Sequence, residues 1–244
     1  MSVPGPRRAR RSDPSRAPAG RESMRTRIKF CGLVRGEDVD AAVALGADAA
    51  GFVFYPRSPR CLDAEAASAL RRRLPSWVCA VGLFVNEAPQ RVRETAARVG
   101  LDVLQFHGDE SPADCLAACA PHQPYWRAVR MRGPGDLLES AGRFGEAEAL
   151  LLDAFSDAYG GSGRPFDWSW IPARRDKPII LSGGLSADSV GEAIARVRPF
   201  AVDVSSGIQG ADARCKDAAK MERFVAAVLT ADARLAAART AQNR

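Results

Sequence analysis

A chain of 244 residues, 46% hydrophobic and 26% charged, is long enough for one substantial core, and its composition excludes a fibrous or wholly disordered protein. The formal net charge of +6 sits entirely in residues 1–27, where eight arginines face only Asp13 and Glu22. The rest holds 27 basic and 27 acidic residues, and that balance removes the main compositional support for nucleic-acid binding by the folded part.

Residues 1–26 form a Pro/Arg/Ser-rich head with too few apolar side chains to pack, so a disordered basic extension is expected there. The head has no apolar h-region and does not read as a secretory signal, though an Arg-rich transit peptide shares its composition. Met24, just before the first strand-like run, is an alternative translation start. From position 27 short apolar runs alternate with helix-period segments. Strands are expected at 27–31, 49–54, 77–85 and 102–106, with helices at 36–46, 63–73 and 88–99 between them. The second half repeats the scheme with strands at 125–131, 148–153, 178–181 and 200–204. Its helices are expected at 112–119, 135–142, 186–196 and 214–230, with a short one at 167–171. Eight βα units in residues 27–230 predict a single-domain (β/α)8 TIM barrel, followed by a C-terminal tail or helix extension at 231–244. The rival, a doubly wound open sheet, wants a G-x-G-x-x-G loop after its first strand, and Phe30-Cys31-Gly32-Leu33 is not one. No uncharged stretch exceeds the thirteen residues 74–86, too short to span a bilayer. Six cysteines without a secretory signal, a C-x-x-C pair or His-rich spacing read as reduced thiols in a cytoplasmic protein without metal.

In such a barrel chemistry sits at the C-terminal ends of the strands, so the polar residues closing each run are the candidates. They are Cys31, Arg57 to Arg60, Asn86, Gln105 with His107, Asp153, Gly183 with Gly184, and Ser205 to Gly207. Glycine turns after the last two strands expose backbone N–H groups and suit a phosphate, whereas either turn alone reads equally as a strand terminator. Cys31 at the rim is a candidate base; Cys61, Cys79, Cys115, Cys119 and Cys215 read as small buried hydrophobes. Asp153 closes a run of leucines and precedes the glycine-rich segment 157–163, which suits a mobile lid; it is therefore a better acid candidate than Asp157. Arg57 or Arg60, if turned inward, has the fork to hold a carboxylate, and His107 reads equally as a structural imidazole.

These segments, in this order, resemble the phosphoribosylanthranilate isomerase family. The matching stretches are Lys29-Phe30-Cys31-Gly32, Gly51-Phe52-Val53-Phe54 with Ser58-Pro59-Arg60, Val81-Gly82-Leu83-Phe84-Val85-Asn86, and Gln105-Phe106-His107-Gly108. They continue through Leu152-Asp153, Tyr159-Gly160-Gly161-Ser162-Gly163, Phe166-Asp167-Trp168, Ser182-Gly183-Gly184-Leu185, Val202 to Gly207, and Lys216-Asp217. The resemblance implies an Amadori rearrangement of N-(5-phosphoribosyl)anthranilate in tryptophan biosynthesis, without cofactor or metal. It implies Cys31 as general base, Asp153 as general acid and Arg60 on the anthranilate carboxylate. It further implies phosphate on the backbone around Gly183, Gly184, Asp203, Ser205, Ser206 and Gly207, with Gln105 and His107 among the substrate contacts. Phe106 stands where the family usually has an aliphatic residue, Pro165 follows Arg164, and the head is extra. Two other readings remain: a bifunctional barrel isomerase acting also in histidine biosynthesis, which uses an aspartate where this chain has Cys31, and an idle barrel whose head binds nucleic acid. The expected partner is a small-molecule substrate, with no membrane or nucleic acid, for a monomer or homodimer.

Overall fold

The barrel is built from eight strands that alternate with helices in the order the sequence predicts. The computed structural model describes residues 25–155 and 166–242; the head up to Met24 and the glycine-rich segment with Asp157 lie outside the described residues. The first half runs β1 Arg27–Cys31, α1 Gly36–Ala44, β2 Ala49–Val53, α2 Ala64–Arg71, β3 Cys79–Phe84, α3 Pro89–Val99, β4 Val103–Phe106 and α4 Pro112–Ala118. The second runs β5 Tyr125–Met131, α5 Asp136–Arg143, β6 Ala149–Ala154, β7 Ile179–Leu181, α6 Val190–Val197, β8 Ala201–Val204 and α7 Ala218–Gln242. Every strand pairs in parallel with its successor, and β8 closes on β1 with Lys29 opposite Asp203.

Local chemistry sets the helix starts. Asp63 accepts the backbone N–H of Ala66, Ser111 and Asp114 form a reciprocal capping box, and Pro89 and Pro112 stand in the first turns where their missing N–H costs nothing. Strands covered on both faces read as continuous apolar runs; all five residues of β2 are buried.

The alternation of side chains along each strand decides what the barrel holds inside. Phe30, Phe52, Leu104, Leu150, Leu152 and Val202 point outward into the core shared with the helices. Ala49, Val81 and Val103 on one side, and Ala128, Ala149, Leu151, Ile180 and Ala201 on the other, fill the interior, with Trp126 touching both groups. Two residues further along, the same inward parity yields Gly51, Gln105, Asp153 and Asp203, and on β1 it yields Lys29 and Cys31. The barrel is therefore apolar at mid-height and polar at its C-terminal end.

Some helix bounds change. The short helix foreseen at 167–171 is a single 3-10 turn, Trp168–Trp170, capped by Asp167. The helix foreseen at 214–230 begins later, because residues 209 and 216 bridge across a turn and Asp217 receives the N–H of Lys220. It continues to Gln242, so of the two expectations for the C-terminal residues the helix extension is the one observed over 231–242. Its alanine-rich end has high helix propensity, Ala231 is buried, and Asp232 accepts both the backbone N–H and the hydroxyl of Thr26 at 2.7 Å. Arg25 and Thr26, counted with the head, are thereby fastened to the barrel, Arg25 through Asp48. Among the described residues no helix is long and apolar enough to cross a membrane.

Candidate active site

A cavity of about 350 Å³ opens at the C-terminal ends of the strands. Its polar wall carries Cys31, Arg57, Arg60, Gln105, His107, Asp153, Ser182, Gly183, Gly184, Asp203, Ser205 and Ser206, and its apolar wall includes Val53, Leu83, Val85 and Leu185. A second cavity of about 340 Å³ lies outside the barrel against α5, among Arg130, Arg132, Asp136 and Arg143, and contains none of the candidate residues.

Asp153 is the penultimate residue of β6, with 5% of its surface exposed. One carboxylate oxygen accepts the N–H of Ala154 at 2.9 Å, and the other lies 3.1 Å from Nε2 of His107. Nδ1 of His107 lies 3.1 Å from Nε2 of Gln105. The amide nitrogen can only donate, so Nδ1 accepts and Nε2–H donates to Asp153. Both nitrogens of His107 are thus engaged within the protein, by Asp153 and Gln105, while the residue also lines the cavity. Oε1 of Gln105 is buried with no partner among the described residues. Gly183 adopts φ +83°, and a Cβ there would stand 2.5 Å from the Ala154 nitrogen and 3.1 Å from a carboxylate oxygen of Asp153, so the β7 turn can close against Asp153 only without a side chain.

On the opposite wall the Cys31 thiol is buried. Burial pushes it up from the ordinary thiol range, Lys29 and Lys216 pull it down, and Asp203 pushes it up. Lys29 donates to Asp203 at 2.8 Å, and Ser182 donates to the other Asp203 oxygen at 3.4 Å. Burial opposes the charge on Lys29, yet Asp203 and Cys31 together hold its pKa above the usual lysine range. Asp203 therefore serves the site through its side chain rather than only through the backbone of its turn. Ser205 donates to the Cys31 carbonyl at 2.9 Å and receives Lys216 at 3.2 Å; Lys216 also donates to the Ser205 carbonyl at 3.0 Å. The sequence reading assigned no role to Lys29 or Lys216. Lys29 was findable, since it shares the inward parity of Cys31, whereas Lys216 falls where the sequence predicts the start of a helix and the structure has an irregular loop.

Arg60 sits with its stem over Gly32 and donates to the Ala213 carbonyl at 3.0 Å and to Gln209. Gly207 is not on the cavity wall. A Cβ there would meet the Leu185 carbonyl oxygen at 2.0 Å, so its place is the contact between the β7 and β8 turns. Asn86, another strand-end candidate, ties two loops together instead, accepting from Asp109 and donating its N–H to Glu110. None of Cys61, Cys79, Cys115, Cys119 and Cys215 reaches the cavity.

The family model described as N-(5'phosphoribosyl)anthranilate (PRA) isomerase matches residues 28–227. An N-(5'-phosphoribosyl)anthranilate isomerase of Dechloromonas aromatica (strain RCB) is 55% identical over 209 residues, 86% of this chain and 99% of that protein. One of Methylibium petroleiphilum is 54% identical over 214 residues, 88% of this chain and 99% of that protein. The crystal structure of phosphoribosyl anthranilate isomerase from Thermotoga maritima superposes with a TM-score of 0.78 at 40% identity, over 84% of this chain and 99% of that one. A crystal structure of the same enzyme type in complex with reduced 1-(o-carboxyphenylamino)-1-deoxyribulose 5-phosphate superposes with a TM-score of 0.74 at 38% identity, over 84% and 99% of the two chains.

Proposed function

The chain belongs to the N-(5'-phosphoribosyl)anthranilate isomerase family, and from that premise we propose how its own residues divide the reaction. It is an isomerase of tryptophan biosynthesis. It converts N-(5-phosphoribosyl)anthranilate to 1-(2-carboxyphenylamino)-1-deoxyribulose 5-phosphate. The observation that carries the division of labour is the placement of one buried thiol and one buried carboxyl on opposite walls of a single cavity, three strands apart around the ring.

Asp153 delivers a proton to the furanose ring oxygen, the bond from that oxygen to C1 breaks, and the anthranilate nitrogen becomes an iminium. Cys31, as thiolate, removes the proton from C2, and its electron pair neutralises the iminium to give an enolamine. The enolamine takes a proton at C1 as its 2-hydroxyl loses one, leaving the ketone. Each transfer by a positioned group is worth about 10² to 10⁴ in rate. His107 and Gln105 serve the acid. With Nε2–H donating, the observed arrangement suits ionised Asp153; with a half-turn of the Gln105 amide, Oε1 takes Nδ1–H and Nε2 accepts from protonated Asp153. The orphaned Gln105 oxygen supports this second arrangement as the loaded acid.

Arg60 takes the substrate carboxylate in its fork, and the apolar wall of Val53, Leu83 and Val85 covers the aryl ring. The turns of Gly183, Gly184, Ser205 and Ser206 hold the phosphate through backbone N–H groups, with Gly207 keeping the two turns together. Every step is a proton transfer that these groups carry without cofactor. The same reading places the protein in the cytoplasm as a monomer or homodimer acting on a small molecule and not on nucleic acid, supported by six free cysteines and a charge-balanced barrel. It keeps the head outside the barrel domain, consistent with a family match beginning at residue 28. The test is turnover of N-(5-phosphoribosyl)anthranilate, followed by loss of its fluorescence, in the wild type and in Cys31→Ser. A wild type without turnover overturns the activity, and a Cys31→Ser variant with full turnover overturns the base.

A further inference from the structure

Charged side chains from five parts of the fold meet at the ends of β1 and β8 beside Cys31. From β1 comes Lys29, 2% exposed and bonded to Asp203 of β8 at 2.8 Å. From the loop before α7 comes Lys216, 5% exposed, whose ammonium donates to the carbonyl and hydroxyl of Ser205; that hydroxyl donates in turn to the carbonyl of Cys31. From the loop after β2 comes Arg60, with its stem over Gly32. From α1, Asp38 accepts the backbone N–H of Lys216 at 3.3 Å, while its carboxylate is paired with Arg35. Gly51 makes the room: a Cβ there would stand 3.0 Å from the sulfur and 3.2 Å from Cε of Lys29.

These charges do not balance. Lys29 is matched by Asp203 and Arg35 by Asp38, but among the described residues no carboxylate lies within 4.0 Å of Lys216 or Arg60. Arg60 opens on the cavity, where the substrate carboxylate arrives. Lys216 is not on the cavity wall. An ammonium withdrawn from water without an anion is costly, and such groups are kept where a negative charge forms beside them. Ionised Cys31 supplies that charge.

We propose that Lys216 is the counter-ion of the Cys31 thiolate, a positioning residue that acts through the base and not on the substrate. The proposal rests on Cys31 being the base. Burial and Arg60 hold Lys216 down at about 8 while Cys31, Asp203 and Asp38 pull it up, and Lys216 in turn opposes the burial of the thiol. Each charge therefore shifts the titration of the other. Lys29 acts on the thiol more strongly than Lys216, by its charge and by a hydrogen bond, but its own charge is already matched by Asp203.

Linkage makes the coupling reciprocal, and the chain has only four lysines, Lys29, Lys177, Lys216 and Lys220, so their side-chain NMR titrations resolve one by one. In Cys31→Ser the Lys216 midpoint should fall by about half a pH unit or more relative to wild type, with Lys177 and Lys220 unmoved. In Lys216→Met, alkylation of Cys31 by iodoacetamide, read by peptide mass spectrometry, should shift its midpoint up by about one pH unit. Its kcat should fall about tenfold with KM within about threefold, and Lys216→Arg should recover most of the loss. If Lys216→Met does not fold, the lysine titrations of wild type and Cys31→Ser decide alone. A Lys216 midpoint unchanged in Cys31→Ser overturns the proposal, as does a raised KM with intact kcat in Lys216→Met, which would assign the ammonium to a substrate anion. Loss of turnover in Cys31→Ser with no movement of Lys216 sinks the counter-ion and leaves the base standing; normal turnover in Cys31→Ser removes both.

Discussion

Replacing Asp153 by Asn isolates the proton from the shape. The amide has the size of the carboxyl, its oxygen can still accept the Ala154 N–H that now lies at 2.9 Å, and its NH2 can donate to Nε2 of His107 once the imidazole takes the other tautomer. Both contacts survive, so the stability change should stay within about 1 kcal/mol, the size of one ordinary hydrogen bond. The anion-binding groups lie elsewhere, on the β7 and β8 turns and on Arg60, so KM should move by no more than about threefold. The ring oxygen, however, loses its proton donor. A general acid contributes about 10² to 10⁴ in rate, or about 2.7 to 5.5 kcal/mol of barrier, and that loss should fall on kcat. Steady-state assays following the fluorescence of phosphoribosylanthranilate separate the two constants, and a thermal melt checks the fold. A kcat within fivefold of wild type, or a KM that rises more than kcat falls, would refute the assignment. Should Asp157→Asn abolish turnover while Asp153→Asn does not, the acid belongs to the segment after β6.

Substituting Gly184 by Leu should raise KM about tenfold or more, because the residue adopts φ +71° at the proposed phosphate turn and a side chain there is both strained and in the way; product-inhibition constants provide the check. A protein beginning at Met24 should keep the turnover and melting temperature of the full chain, and a tenfold loss of kcat would show that the head contributes to the barrel. Activity should survive exhaustive dialysis against a chelator, with restoration by zinc or magnesium counting against chemistry by proton transfer alone.

The barrel was legible because eight apolar runs and their intervening helical periods are local properties, and strand-end residues such as Cys31 and Asp153 follow from where those runs stop. What the sequence hid was relational. Whether the nitrogens of His107 face substrate or protein depends on Gln105 two positions back and on Asp153 of another strand, 46 residues away, which no local pattern encodes. The late start of α7 follows from a bridge between residues 209 and 216, and its long end from a clasp onto Thr26 that joins the two ends of the barrel. Nor does the sequence show that Gly207 packs against the Leu185 carbonyl of the neighbouring turn, a contact that a side chain would block.

A residue kept for chemistry rather than for the fold should leave a mark on stability, and Lys216 is where this can be read. Its pKa stands at about 8 in the folded protein against 10.5 unperturbed. The folded-state value is depressed, so between pH 8 and 10.5 the unfolded chain binds more protons and stability contributed by this group rises with pH; the penalty is complete below about 8. At about 1.4 kcal/mol per pH unit that penalty is about 3 kcal/mol near neutrality. Against it stand the hydrogen bonds to Ser205, whose loss leaves a carbonyl unpartnered at a cost of about 1 to 3 kcal/mol. Lys216→Met should therefore be no less stable than wild type at pH 7, and wild type should gain on the variant as the pH is raised from 8 to 10. Urea unfolding of both proteins across that range measures the difference, in which titrations common to the two cancel. A variant several kcal/mol less stable at pH 7, with a gap that does not move with pH, would mean that the ammonium is part of the scaffold.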